Sequence, residues 1–116
     1  MHEDTVVAAH LRVLVVGDHV VLAEVVADYF RREDVSLLVA DDGVDALYVA
    51  EAMQPGVIII DSSLPGADVL QVCRRLRTRS DAYIIISSAR SGAVTRIAAF
   101  AAGADDFLTE PLRACR

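Results

Sequence analysis

The sequence predicts an α/β protein, an open, doubly wound three-layer sandwich. Three observations carry that prediction. Val57-Ile58-Ile59-Ile60 is a run of four β-branched apolar residues, the signature of a strand buried on both faces in the middle of a parallel sheet. Short apolar segments of this kind alternate with helical stretches five and nearly five times, and right-handed crossovers then give parallel strands with helices on both faces. The chain of 116 residues is 54% hydrophobic but only 5% aromatic, with no Trp, so Val, Ile, Leu and Ala must fill one interior. That mixture suits parallel strands under Ala-rich helices.

Residues 1–10 show no sustained period and read as a flexible lead-in, which leaves 11–116 as the domain. Residues 12–16 form a first strand closed by Gly17-Asp18. Leu22, Val25, Val26, Tyr29 and Phe30 then mark one face of a first helix. Residues 36–40 are a second strand, and Asp41-Asp42-Gly43 is a turn. Ala46, Leu47, Ala50 and Met53 mark a second helix, stopped by Pro55-Gly56. After the central strand, Val69, Val72, Cys73 and Leu76 point inward from a third helix, whose other face holds Arg74, Arg75, Arg77 and Arg79 as a solvated run. Residues 83–88 are the fourth strand. Ser91 is expected to cap a fourth helix that carries Val94, Ile97 and Ala101 on one side and ends at Gly103. Residues 105–109 make a short fifth strand. Only residues 112–116 follow Glu110-Pro111, too few for a fifth helix, which is expected to be truncated or missing.

No apolar run approaches the ~20 residues that span a membrane, and no signal peptide is expected, so a cytoplasmic location is the default. The net charge of -6 argues against the domain gripping a nucleic acid by itself. Cys73 and Cys115 have neither metal-ligand nor disulfide-framework spacing.

Function in such sheets gathers at the carboxyl edge of the strands. Asp18, Asp61, Ser88 and Glu110 follow or end the first, third, fourth and fifth strands. Any one of them is an ordinary loop acid or cap; four together are a candidate site. Carboxylates sharing one edge repel each other, and a hard divalent cation such as Mg²⁺ relieves that repulsion with oxygen ligands.

With these motifs assembled, residues 12–112 resemble the receiver domain of two-component response regulators. The resemblance implies the flavodoxin-like sheet order 2-1-3-4-5. It implies that Asp61, in Ile60-Asp61-Ser62-Ser63-Leu64-Pro65-Gly66, is the position that accepts a phosphoryl group from a sensor histidine kinase. Asp18 and Asp61, with the backbone carbonyl of Ser63, would hold Mg²⁺. Ser88, followed by Ala89, is the hydroxyl switch position. Phe107, in Gly103-Ala104-Asp105-Asp106-Phe107, is the aromatic switch.

Two departures bear on activity. Gly17 stands where the family has the first acid of its pair. Glu110 stands where the family has a Lys before Pro, and all eleven basic residues of this chain are Arg. A family site with three acids and one Lys sums to -2, whereas Asp18, Asp61 and Glu110 sum to -3. Two unit charges ~4 Å apart at an effective dielectric of ~20 interact by about 4 kcal/mol, so reversing one sign moves the balance by more than that before screening. The expectation is a degenerate receiver with weak or no Asp phosphorylation and weak Mg²⁺ binding, acting as a regulatory and association module and not as an enzyme. The alternative is a phosphorylation-competent receiver that takes a phosphoryl group onto Asp61 with Mg²⁺. The resemblance implies a histidine kinase or other regulatory protein as partner, a homodimer, and DNA only through an effector domain outside this chain.

Overall fold

The computed structural model describes residues 11–17, 35–62, 69–88 and 94–109. The first predicted helix and the lead-in lie outside them. Five parallel strands form one sheet: β1 (Leu11–Val16), β2 (Val35–Ala40), β3 (Val57–Asp61), β4 (Tyr83–Ser88) and β5 (Asp106–Thr109). Their order is β2-β1-β3-β4-β5, as the resemblance implied. Register runs Val16 beside Ala40 and Ile60, Asp61 beside Ser87, and Ser88 beside Thr109. The carboxyl ends of β1, β3, β4 and β5 therefore come together at one edge.

The strands sit as their composition dictates. On one face Leu14, Val16, Ile58, Ile60, Ile84 and Ile86 are fully buried; on the other are Val13, Val15 and Ile59. Burying each such side chain is worth about 1.5–3 kcal/mol, so the β-branched runs supply most of what holds the centre together.

Three helices are described, and all of them pack on the first face: α1 (Gly43–Met53), α2 (Val69–Arg79) and α3 (Arg96–Ala101). α1 faces the sheet with Ala46 and Ala50. The predicted turn before it is its start: Asp42 is extended and its carboxylate accepts the Asp45 N–H at 2.8 Å, the usual N-cap arrangement. α2 buries Val69, Val72, Cys73 and Leu76, the four inward positions read from its period.

Two expectations need correction. The cap of α3 is Thr95, whose hydroxyl accepts the Ala98 N–H at 3.1 Å, and the helix begins after Val94. Val94 is buried but precedes the helix, and Ile97 is 82% exposed, because Ala99 is the residue that α3 turns to the core. An Ala-rich helix offers little contrast between its sides, so its inward face was not readable from apolar spacing. The chain does turn at Gly103, with the Ala104 N–H donating to the Ala99 carbonyl. The second correction is Arg77, which is no solvated residue. Its guanidinium donates to the carbonyls of Gly103 at 3.0 Å and Ala82 at 2.9 Å and pairs with Asp105 at 2.5 Å.

Candidate functional site at the carboxyl edge

Asp61 closes β3 with 1% of its surface exposed, so the acid read from sequence at the end of the central strand is a buried carboxylate. Beyond it the chain stays tied to β4, since the Ser62 N–H donates to the Ser87 carbonyl at 2.9 Å. Ser87 and Ser88 are buried with it, at the end of the neighbouring strand. The Ser88 hydroxyl also meets the Val94 carbonyl at 3.5 Å, a long contact that reaches toward the start of α3.

Phe107 lies on β5 beside Ile86 and is 9% exposed, packed among the core residues of the first face. The Arg96 guanidinium sits 5.2 Å from its ring centroid, a cation–π contact that sequence alone did not suggest. Arg96 is the first residue of α3, so the contact ties that helix to β5 across the ring.

Gly17 is the residue whose role is clearest only in three dimensions. It has φ of +132°, and its N–H donates to the Ala40 carbonyl at 2.7 Å. A Cβ added there would lie 2.9 Å from the Cβ of Asp61. The backbone at the end of β1 thus runs directly against the Asp61 side chain, in a conformation that L residues rarely adopt. At the position of the missing first acid, the backbone lies close against the Asp61 side chain.

Asp18, Ser63 and Glu110 lie outside the described residues. Of the carboxylates expected to hold Mg²⁺, the described residues therefore contribute one, Asp61. Among them no three His, Cys, Asp or Glu side chains converge as a metal site. A buried carboxylate at a strand end suits a hard cation, but the Gly17 backbone adds no oxygen side chain to it.

Cys73 is a fully buried free thiol in the core. Burial raises its pKa, and Arg77 and Arg74 offset that in part. A thiol held protonated in an apolar core is a packing residue, as its place in the inward stripe of α2 suggested.

Known proteins share this architecture. The family model described as response regulator receiver domain matches residues 13–115. The DNA-binding response regulator MtrA of Mycobacterium tuberculosis is 33% identical over 102 residues, which cover 88% of this chain and 45% of MtrA. The sensory transduction protein RegX3 of Mycolicibacterium smegmatis is 34% identical over the same shares. The chain thus spans a little under half the length of these relatives. The receiver domain of the TMAO respiratory system response regulator TorR has a TM-score of 0.78 at 30% identity, with 90% of this chain and 88% of that one covered. A response regulator from Burkholderia pseudomallei, solved with a phosphorylated aspartic acid, calcium ion and citrate, has a TM-score of 0.74 at 26% identity, covering 87% of this chain and 60% of that one. With its sheet order, its buried aspartate at the end of β3 and a family match over most of its length, this chain belongs to the response regulator receiver domains of two-component signalling.

Proposed function

We propose that this chain is a degenerate receiver, in which Asp61 is phosphorylated weakly or not at all and output is set by partners and association. The observation that carries the proposal is a buried carboxylate, Asp61, in a chain that contains no Lys. A phosphoryl group adds negative charge at a place withdrawn from water, and its family partner is an ammonium. Here the corresponding residue is Glu110, and no other ammonium side chain exists to replace it. The close approach of Gly17 to Asp61 supports the same conclusion, since it denies the site a second acid at that position.

When bound, Mg²⁺ supplies positive charge against the carboxylates. In this chain Asp61, Asp18 and the Ser63 carbonyl are the residues that would hold it, and weakly. Receivers take their phosphoryl group from histidine kinases, and such a kinase or another regulatory protein is the proposed partner. MtrA is named as DNA-binding and extends well beyond the matched segment. Transcriptional output through an effector outside this chain is accordingly part of the proposal.

The competing reading is a working phosphoacceptor with an altered site. It is favoured by Asp61 and Ser88 lying buried at the ends of adjacent strands, as a receiver needs. Titration with beryllofluoride and Mg²⁺, followed by NMR, separates the two. The degenerate reading expects no saturable shift at Asp61 or Ser88 at about millimolar Mg²⁺, a weak range for a hard-cation site. Saturable shifts there establish the competent receiver. Glu110→Lys is expected to raise labelling by acetyl phosphate above that of the unaltered chain.

A further inference from the structure

The edge of the sheet opposite Asp61 carries polar groups that the phosphorylation site does not use. Each crossover helix must finish where the next strand starts, so α1 and α2 bring their carboxyl ends to the beginnings of β3 and β4. Between those ends lies a cleft of about 500 Å³, inside the ~300–1,000 Å³ range of small-ligand sites. Gln54, Pro55 and Gly56 form one wall; the end of α2 and the turn after it, through Ala82, form the other. Pro55 and Ala82 are buried and give the cleft its apolar surface.

Several hydrogen-bonding groups here are only partly used. Arg79 meets Glu51 at 3.7 Å with both side chains more than half exposed, a pair that contributes little and exchanges readily. Asp81 is exposed and, among the described residues, has no ion-pair partner. The Ser80 hydroxyl accepts the Ala82 N–H at 3.0 Å and keeps its own proton to donate. Gln54 sits in left-handed backbone, with φ of 51°, where glycine is the usual residue. Its Nε2 donates to the Glu51 carbonyl at 3.1 Å, which leaves Oε1 as an acceptor.

The signs of the charges narrow the ligand. A lone anion would be drawn to Arg79 but would meet Asp81 and the negative ends of two helix dipoles. A lone cation would meet Arg79 and Arg77; the Arg77 donors go to Gly103, Ala82 and Asp105, but its charge remains beside the cleft. A molecule that carries both charges suits both sets of groups. We infer that this cleft binds a small zwitterion, its carboxylate on Arg79 and Ser80 and its ammonium on Asp81 and Gln54. The inference does not depend on whether Asp61 is phosphorylated.

An NMR titration of the full chain with glycine, β-alanine and 4-aminobutanoate, which differ in the spacing of their two charges, tests it. At least one of them should give saturable shifts at the amides of Gln54, Gly56, Ser80 and Asp81 below ~50 mM, the range of a weak open site. Acetate and methylamine, each with one of the two charges, should not saturate there. Arg79→Gln and Asp81→Asn should each weaken binding by about ten-fold or more, with the rest of the spectrum unchanged. The inference is overturned if none of the three zwitterions saturates, or if acetate or methylamine binds as tightly as the best of them. Unchanged affinity in either variant overturns it too, as do saturable shifts confined to the Asp61 edge.

Discussion

The position beside Asp61 shows how one residue limits what this site can become. Gly17 reads in sequence as an acid lost from a family pair, and restoring it looks like a one-residue repair. The backbone says otherwise. At φ of +132° an L side chain is strained, and its Cβ would stand 2.9 Å from a Cβ on the neighbouring strand, an atom that cannot swing away. Gly17→Ala is expected to cost about 2–3 kcal/mol, the scale of a strained backbone position, read as a lower urea midpoint with an unchanged slope. Gly17→Asp should be at least as costly and should not strengthen Mg²⁺ binding; tighter Mg²⁺ binding in that variant would show that the strand end can reopen. The places of Asp61 and Ser88 at strand ends were legible because apolar strand runs stop on them, whereas Phe107 was singled out only by the family resemblance. The contact of Arg96 with the Phe107 ring was not legible, because the two residues are 11 apart and meet only through the fold.

Elements follow the same division between near and far. β3 and β4 were readable to within a residue because consecutive β-branched residues have few other places to go, and α2 because its apolar period is sharp. α3 was misread because Ala on every side leaves no period to follow. Arg77 was misread because its partners, Gly103 and Asp105, lie 26 and 28 residues further along. It stands on α2 but holds three segments: the turn before β4 through Ala82, the end of α3 through Gly103, and the start of β5 through Asp105. Asp105 in turn accepts the Ile84 N–H at 2.9 Å, which closes the link to β4. The pair is about a third exposed on each side, so solvent weakens it. Arg77→Ala should still cost about 2 kcal/mol, since carbonyls oriented toward a charged donor lose it together. Arg75→Ala, on the same helix but with no such partners, should stay within about 0.5 kcal/mol of the unaltered chain. Equal losses in parallel urea melts would remove Arg77 from this role.

Over the whole molecule, the carboxyl edge and the cleft at the opposite edge behave as separate systems unless some element with two arrangements joins them. In receivers the hydroxyl and aromatic positions are the natural candidates for such an element. Here Ser88 is buried with its hydroxyl 3.5 Å from the Val94 carbonyl, and Phe107 is packed in the core with the Arg96 guanidinium over its ring. A ligand shifts an equilibrium only by its difference in affinity between two states. On the degenerate reading the anion that would drive a shift binds poorly, because Glu110 stands where the family has a Lys and the chain contains none. Beryllofluoride with Mg²⁺ is therefore expected to leave the affinity of the cleft for its zwitterion unchanged, with the NMR titration midpoint the same in its presence and absence. A displaced midpoint would mean that the two sites are thermodynamically linked, and by reciprocity a saturating zwitterion would then alter beryllofluoride affinity by the same factor.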